Sequence, residues 1–354
     1  MDSITKTVEG LNLENDVQLN LLSLPKRSIQ EKPSNLIRRT KTEKGRPAFI
    51  SGPMVRYSKL PFRELVRNYN TDIVYTPMIL AREFVRNGFA RMTDFSTNEK
   101  DHCLVAQVGC NNVEDMLKFV EMIKPYTDGI SLNCGCPIKD QVREGIGAAL
   151  MNQPDLVSEM IKAVKDLHGD SVCIETKIRI HPDINETVRF LHKVEESGVD
   201  YITIHGRTKN TRSSHPVNLK AIKFLKEVAS VPVVANGDSF SLEDAHKNAE
   251  YTGVDGIMAA RGILANPSIF AGYSKTPWSA VELFWSFATS YGLPFRIHQH
   301  HLSEMLDKVL PRKYLKEMNE ITNLVDLIDW FDDNFILRRE GEEDFAKSVD
   351  VTWR

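Results

Sequence analysis

Short apolar runs recur through the middle of the chain, at residues 48–51, 72–75, 104–108, 129–132, 173–178, 201–204, 231–235 and 256–259. Each is four to six residues long, the length of a strand buried on both faces. Most are followed by a stretch with apolar residues at helical spacing: 61–69, 113–123, 154–167, 184–196, 219–228 and 241–249. Helix-entry chemistry marks several starts, with Pro154 near a first turn, Asp183 before Ile184, and Ser241 with Asp244 three residues on. Gly198 and Gly253 sit just past helix ends. Eight strand signals alternating with helices over about 225 residues predict a (β/α)8 TIM barrel, an α/β fold. An open doubly wound sheet is the alternative. It usually carries a glycine-rich dinucleotide fingerprint after its first strand, and Ser51-Gly52-Pro53-Met54 is not one.

The alternation stops near Phe270. A helical stretch opens at Thr276-Pro277 and runs to Gly292, and Ile297, Leu302, Met305, Leu306 and Val309 then form one apolar helical face. Residues 314–331 continue in the same style, which predicts a small all-helical C-terminal domain. At the other end, residues 26–46 carry eight cations against Glu31 and Glu43, with few apolar residues and no steady period. That composition predicts a flexible, solvated arm, with contact to RNA phosphates as the functional alternative. The expected division is a basic extension at 1–45, the barrel at 46–272, the helical domain at 275–345 and a tail at 346–354.

With 354 residues, 42% of them hydrophobic, the chain can bury a sizeable core. A formal net charge of -3 excludes a globally basic nucleic-acid binder and leaves only a local patch. Five cysteines, an odd number, do not form a disulfide framework and point to a reducing compartment. The N-terminus has no apolar h-region and no segment reaches membrane-spanning length. A soluble protein of the cytoplasm, with the nucleus as alternative, is expected.

In a barrel, chemistry gathers at the C-terminal strand ends. Those ends carry Gly52-Pro53-Met54-Val55, Gln107, Asn133 with Cys136, Lys177, His205-Gly206-Arg207, Asn236-Gly237-Asp238 and Ala260-Arg261-Gly262. The stretch 131–151 is the most informative. Its strand ends in an amide and a thiol, and Gly135 and Pro137 hold Cys136 on a tight, stiff loop. Singly, each residue has a structural account: Cys136 as a small hydrophobe, Gln107 as a strand cap, Lys177 as half an ion pair, His205 as a satisfied core histidine. Jointly they mark one edge of one sheet. The clusters at 236–238 and 260–262 follow the seventh and eighth strands, where backbone N–H groups commonly bind phosphate, and Arg261 adds a cation. Lys177 is placed to stabilise negative charge on a ring system, as a reduced flavin requires. Cys134-x-Cys136 lacks a second ligand pair, so no metal is expected. His298, His300 and His301 read as exposed positions of a helix.

The pattern Pro53-Met54, Gln107, Asn133-x-x-Cys136-Pro137, Lys177, His205-Gly206-Arg207-Thr208, Asn236-Gly237 and Arg261-Gly262 resembles the tRNA-dihydrouridine synthase family. The resemblance covers residues 47–270 and is continued by a helical domain such as these enzymes carry. Asn-x-x-Cys-Pro with Gly145-x-Gly147 is its most specific part, and residues 53–63 resemble the eukaryotic type acting at D-loop positions 20a and 20b. Val55 and Ala260 depart from the family's usual alanine and glycine but stay compact. The resemblance implies FMN, with NADPH or NADH as reductant, hydride delivered to C6 of a tRNA uracil, and a proton to C5 from Cys136. A thiol of ordinary pKa near 8.5 is mostly protonated at neutral pH and suits that donation.

Pro53, Met54 and Val55 would line the ring, Asn133 would bond the uracil or flavin edge, Gln107 the ring edge, and Lys177 the N1/O2 side, with His205 touching the cofactor. Asn236, Gly237, Asp238, Ala260 and Arg261 would hold its phosphate. Lys139, Arg143, Arg207, Lys209 and Arg212 would hold phosphates flanking a uridine drawn out of its stack. A tRNA contact at the histidine-bearing helix, with Arg296, Arg312 and Lys313, is the family-based second reading there. A monomer, with no membrane and no metal, is expected. The rival readings are a small-molecule FMN barrel of the dihydroorotate-oxidising kind and a non-catalytic RNA-binding factor.

Overall fold

The computed structural model describes residues 31–354; the first thirty residues of the predicted extension lie outside the described residues. The strands are β1 (Ala48–Ser51), β2 (Ile73–Tyr75), β3 (Ile79–Leu80), β4 (Leu104–Gly109), β5 (Gly129–Cys134), β6 (Ile174–Arg179), β7 (Tyr201–His205), β8 (Val233–Asn236) and β9 (Gly256–Ala259). They pair in parallel around a closed ring in which β1 bonds both β2 and β9. β2 and β3 both pair with β4, Val74 opposite Leu104 and Ile79 opposite Val108, so they are two halves of one barrel position. Pro77 sits in the gap, where its missing N–H cannot join a ladder. The barrel is therefore eight-stranded, as the alternation predicts. Its second position is longer than the sequence suggested, and two short helices, Ala81–Arg86 and Gly88–Asp94, follow it.

Helix caps follow the predicted chemistry. Asp183 accepts the Asn185 N–H, Ser241 accepts that of Asp244, and Gly253 closes its helix in the left-handed region. Side chains alternate across each strand. One set, including Ile50, Tyr75, Val105, Tyr201 and Met258, fills the barrel, where the Tyr75 and Tyr201 hydroxyls meet at 2.8 Å. The other set packs against the surrounding helices.

Residues 33–44 differ from the predicted flexible arm: they form the helix Pro33–Lys44. Ile37 is fully buried in the barrel-interior cluster, Lys41 bonds Asp255 at 2.7 Å and the Gly253 carbonyl at 2.8 Å, and Ser34 lies against Cys173. Ala48, Cys173 and Asp255 mark N-terminal strand ends, so this helix plugs the end of the barrel opposite the candidate site.

The C-terminal helices are Trp278–Ser290, Phe295–Leu306, Arg312–Glu320 and Leu324–Asn334. The first packs on Leu60–Arg67, and Ser279 meets the Tyr69 hydroxyl at 3.1 Å. His298 and His301, expected on an exposed face, are buried instead among Phe284, Trp285 and Phe62. The last residues are folded onto these helices. Trp278 and Ile336 N–H groups bond the carbonyls of Val349 and Thr352, and Trp353 packs on Phe335 and Tyr314. Among the described residues no helix is long and apolar enough to cross a membrane.

Candidate active site

The end of β5 builds the centre of the site. The Asn133 side-chain oxygen accepts the N–H groups of Gly135 (3.0 Å) and Cys136 (2.9 Å), fixing the turn that presents the thiol. Its Nδ2 donates to Gln107 Oε1 at 2.8 Å, and Gln107 Nε2 donates to Ser131 Oγ at 3.2 Å. Both amides thus belong to the frame of the site, and each NH₂ keeps a second N–H that these bonds do not use. The Cys136 carbonyl accepts from the Ala148 N–H at 2.8 Å. That approach needs glycine at 147, where φ is +62° and a Cβ would lie 2.7 Å from the Cys136 oxygen. Cys134 points the other way into the core, so the two thiols share no site. Among the described residues no group of three or more His, Cys, Asp or Glu could hold a metal ion.

A cavity of about 140 Å³ opens beside the thiol, lined by Pro53, Val55, Met78, Gln107, Asn133, Cys136, Lys177, Arg179 and His205. Met54 does not line it: its side chain packs on the core and its carbonyl holds the turn to Tyr57 and Ser58. Lys177 Nζ donates to Asn236 Oδ1 at 2.8 Å. Burial, helped by Arg179, pulls its ammonium down to about 8, against the attraction of Glu175. His205 falls much further, to about 2, because it is buried and faces Lys177, Arg179, Arg207 and Arg261. The Arg207 guanidinium can only donate, so His205 Nε2, 3.2 Å away, accepts and Nδ1 carries the hydrogen.

A second cavity, about 70 Å³, adjoins the first at His205 and is lined by Asn236, Gly237, Asp238, Ala260, Arg261 and the loop around Ser239. Two loops close tightly here, since a Cβ on Gly262 would meet the Ser239 carbonyl at 2.1 Å. Asp238 takes bonds from Arg207, Arg261 and the Val217 N–H. Burial opposes its charge, but these partners together hold it below the usual carboxylate range. Arg207, expected at substrate phosphates, is instead turned inward, only 3% exposed, with its donors spent on Asp238, His205 and the carbonyls of His215 and Ser213. Lys139, Arg143 and Lys209 are exposed, and Arg143 pairs with Asp140.

Arg179 is a site residue that sequence reasoning missed. It bonds the Gly135 carbonyl at 2.6 Å and the Thr208 carbonyl at 3.0 Å, tying two active-site loops together. Its signal was available, because a residue two past Lys177 on a strand shares its face. Met78 had none, since it reaches the cavity only through the break at Pro77.

A family model described as Dihydrouridine synthase (Dus) matches residues 49–352. A Saccharomyces cerevisiae protein named tRNA-dihydrouridine(20a/20b) synthase, with NAD(P)+ in its name, is 53% identical over 94% of this chain and 93% of its own. A Schizosaccharomyces pombe protein of the same name is 47% identical over 86% of this chain and 93% of its own. A Mus musculus protein named as like that synthase is 39% identical over 92% and 99%.

Proposed function

The chain belongs to the dihydrouridine synthase family, and from that premise we propose that it reduces uridines 20a and 20b of the tRNA D-loop to 5,6-dihydrouridine. FMN is the proposed cofactor and NADPH or NADH the hydride source. The observation that carries this reading is the junction at His205: a cavity with a cysteine and a buried lysine shares that residue as a wall with a loop cavity that has Arg261 in its lining. The residues fit a flavin mononucleotide. Lys177 presents a cation to the ring cavity, and the backbone at Gly237 and Gly262 brings two loops close enough to cradle one phosphate. When bound, the flavin supplies two-electron hydride chemistry.

The chain's own residues do the rest. Lys177 compensates negative charge on the ring, and neutral His205 offers an Nδ1 hydrogen without adding charge. Asn133 and Arg179 hold the Cys136 loop so that the thiol can give its proton to C5 of the uracil. Val55 is exposed at the mouth, and the exposed Lys139, Arg143 and Lys209 are the cations this reading assigns to the RNA backbone. An intracellular location goes with a tRNA substrate. The small-molecule and non-catalytic alternatives find no support in these relatives.

The test is Cys136→Ala. Flavin released from the purified protein should be FMN, and NADPH oxidation should be unchanged. Dihydrouridine formation on tRNA lacking it should fall about 10²- to 10⁴-fold, the worth of a positioned general acid. Wild-type turnover in the variant would remove Cys136 from that role.

A further inference from the structure

One layer below the cavity floor, inside the barrel, lies a carboxylate that the proposed chemistry does not use. Glu175 and Lys177 are two residues apart on β6 and face the same way. Glu175 is aligned with Ser131 on β5 and Tyr201 on β7, Lys177 with Asn133 and Thr203. Glu175 is fully buried, and the Ser131 and Thr203 groups beside its oxygens are the nearest donors, yet neither makes a hydrogen bond of full geometry to them. The Thr203 hydroxyl beside it is also unpartnered. A buried carboxylate in that condition is costly when charged, so its protonation state answers to the charge around it.

Its surroundings leave one cation to answer to. The titratable groups near it are Tyr75 on β2, Tyr201 on β7, Lys177 on β6, Cys173 just before β6, and Cys134 on β5. Burial pushes the two phenols and the thiols up, so they stay neutral at ordinary pH. Only Lys177 brings charge, and it lies between Glu175 and the cavity.

We propose that Glu175 is a positioning residue that acts through Lys177 as a buried proton store, taking up one proton when the ring above gains negative charge. The inference rests on the flavin reading given above. A hydride brings the ring two electrons and one proton, which adds one negative charge to the site. Glu175, ionised beforehand, then becomes a neutral carboxylic acid. The proton comes from solvent through the cavity and Lys177 ends with the charge it began with, so the site's net charge is the same before and after. Burial supports the account: it pushes the Glu175 carboxyl up to about 7, against the pull of Ser131, Thr203 and Lys177.

The experiment is reduced-minus-oxidised infrared difference spectroscopy of the holoenzyme near pH 8. Wild type should gain a carboxylic-acid carbonyl band on reduction, and the band should be absent from Glu175→Gln. If that variant does not fold, wild type grown with carbon-13 glutamate carries the test, because the band must then shift. No band, a band that ignores the label, or one that persists in the variant overturns the inference. Protein that purifies without flavin overturns the cofactor reading instead.

Discussion

At the scale of single residues, the site depends on backbone close approach as much as on reactive groups. Gly147→Ala places a methyl 2.7 Å from the Cys136 carbonyl at a φ of +62°, where alanine is already strained. The variant should lose about 1–3 kcal/mol of stability and release the loop that Asn133 and Ala148 fix. Denaturant titration and dihydrouridine formation check this, and activity should fall further than stability alone explains. Glu175 gives a second prediction. Its folded-state pKa is raised, so its contribution to stability is present in acid and is lost as pH rises through about 7. Glu175→Gln should therefore gain stability relative to wild type between pH 5 and pH 8; a constant difference across that range would contradict the buried carboxyl. Cys136 was legible in the sequence because its glycine, proline and amide neighbours form a local motif. Glu175 was not, because in the run 173–178 it stands two residues from Lys177 and reads as that lysine's ion-pair partner, a structural role with no signal of its own.

At the scale of elements, the barrel was legible because apolar runs and amphipathic stretches obey local periodicity, and the helices Ile184–Glu196 and Leu219–Val228 begin and end where the pattern puts them. The helix Pro33–Lys44 was not legible. Only Leu36 and Ile37 are large apolar residues in it, and its cations read as a solvated face. Those cations are structural instead: Lys41 reaches Asp255, Lys44 approaches Asp72, and Arg39 holds Glu31. Their partners lie far away in sequence or outside the helix, which no local pattern reveals. If this helix is a plug, Ile37→Ala should cost about 2–4 kcal/mol, as emptying a buried isoleucine site does. Lys41→Ala, half-exposed at its pair, should cost about 1 kcal/mol or less. Thermal unfolding followed by circular dichroism separates the two, and equal small losses would return the segment to the solvated arm first expected.

At the scale of the whole molecule, the C-terminal helices are joined to the mouth of the cavity. His301 Nε2 lies 3.1 Å from the Tyr57 carbonyl, and the Tyr57 ring packs edge-on against His301. Tyr57 belongs to the turn that starts at Met54, next to Pro53 and Val55 at the cavity wall. The carbonyl only accepts, so Nε2 carries the hydrogen and His301 is neutral with Nδ1 bare. Burial pushes His301 down to about 3 and His298 to about 4, and each unfolded histidine titrates near 6.5. The unfolded chain therefore binds more protons below pH 6.5, and stability is lost as pH falls from there toward the folded values. Each histidine contributes at most about 1.4 kcal/mol per pH unit in that window. Urea denaturation at pH 7 and pH 5 should show the loss, and His298→Gln with His301→Gln should flatten it. Because His301 holds the Tyr57 turn, acid should also loosen the cavity wall. Flavin release should therefore rise in wild type between pH 6 and pH 5, before far-ultraviolet circular dichroism changes. Release that waits for global unfolding would mean the helices stabilise the barrel without steadying its mouth.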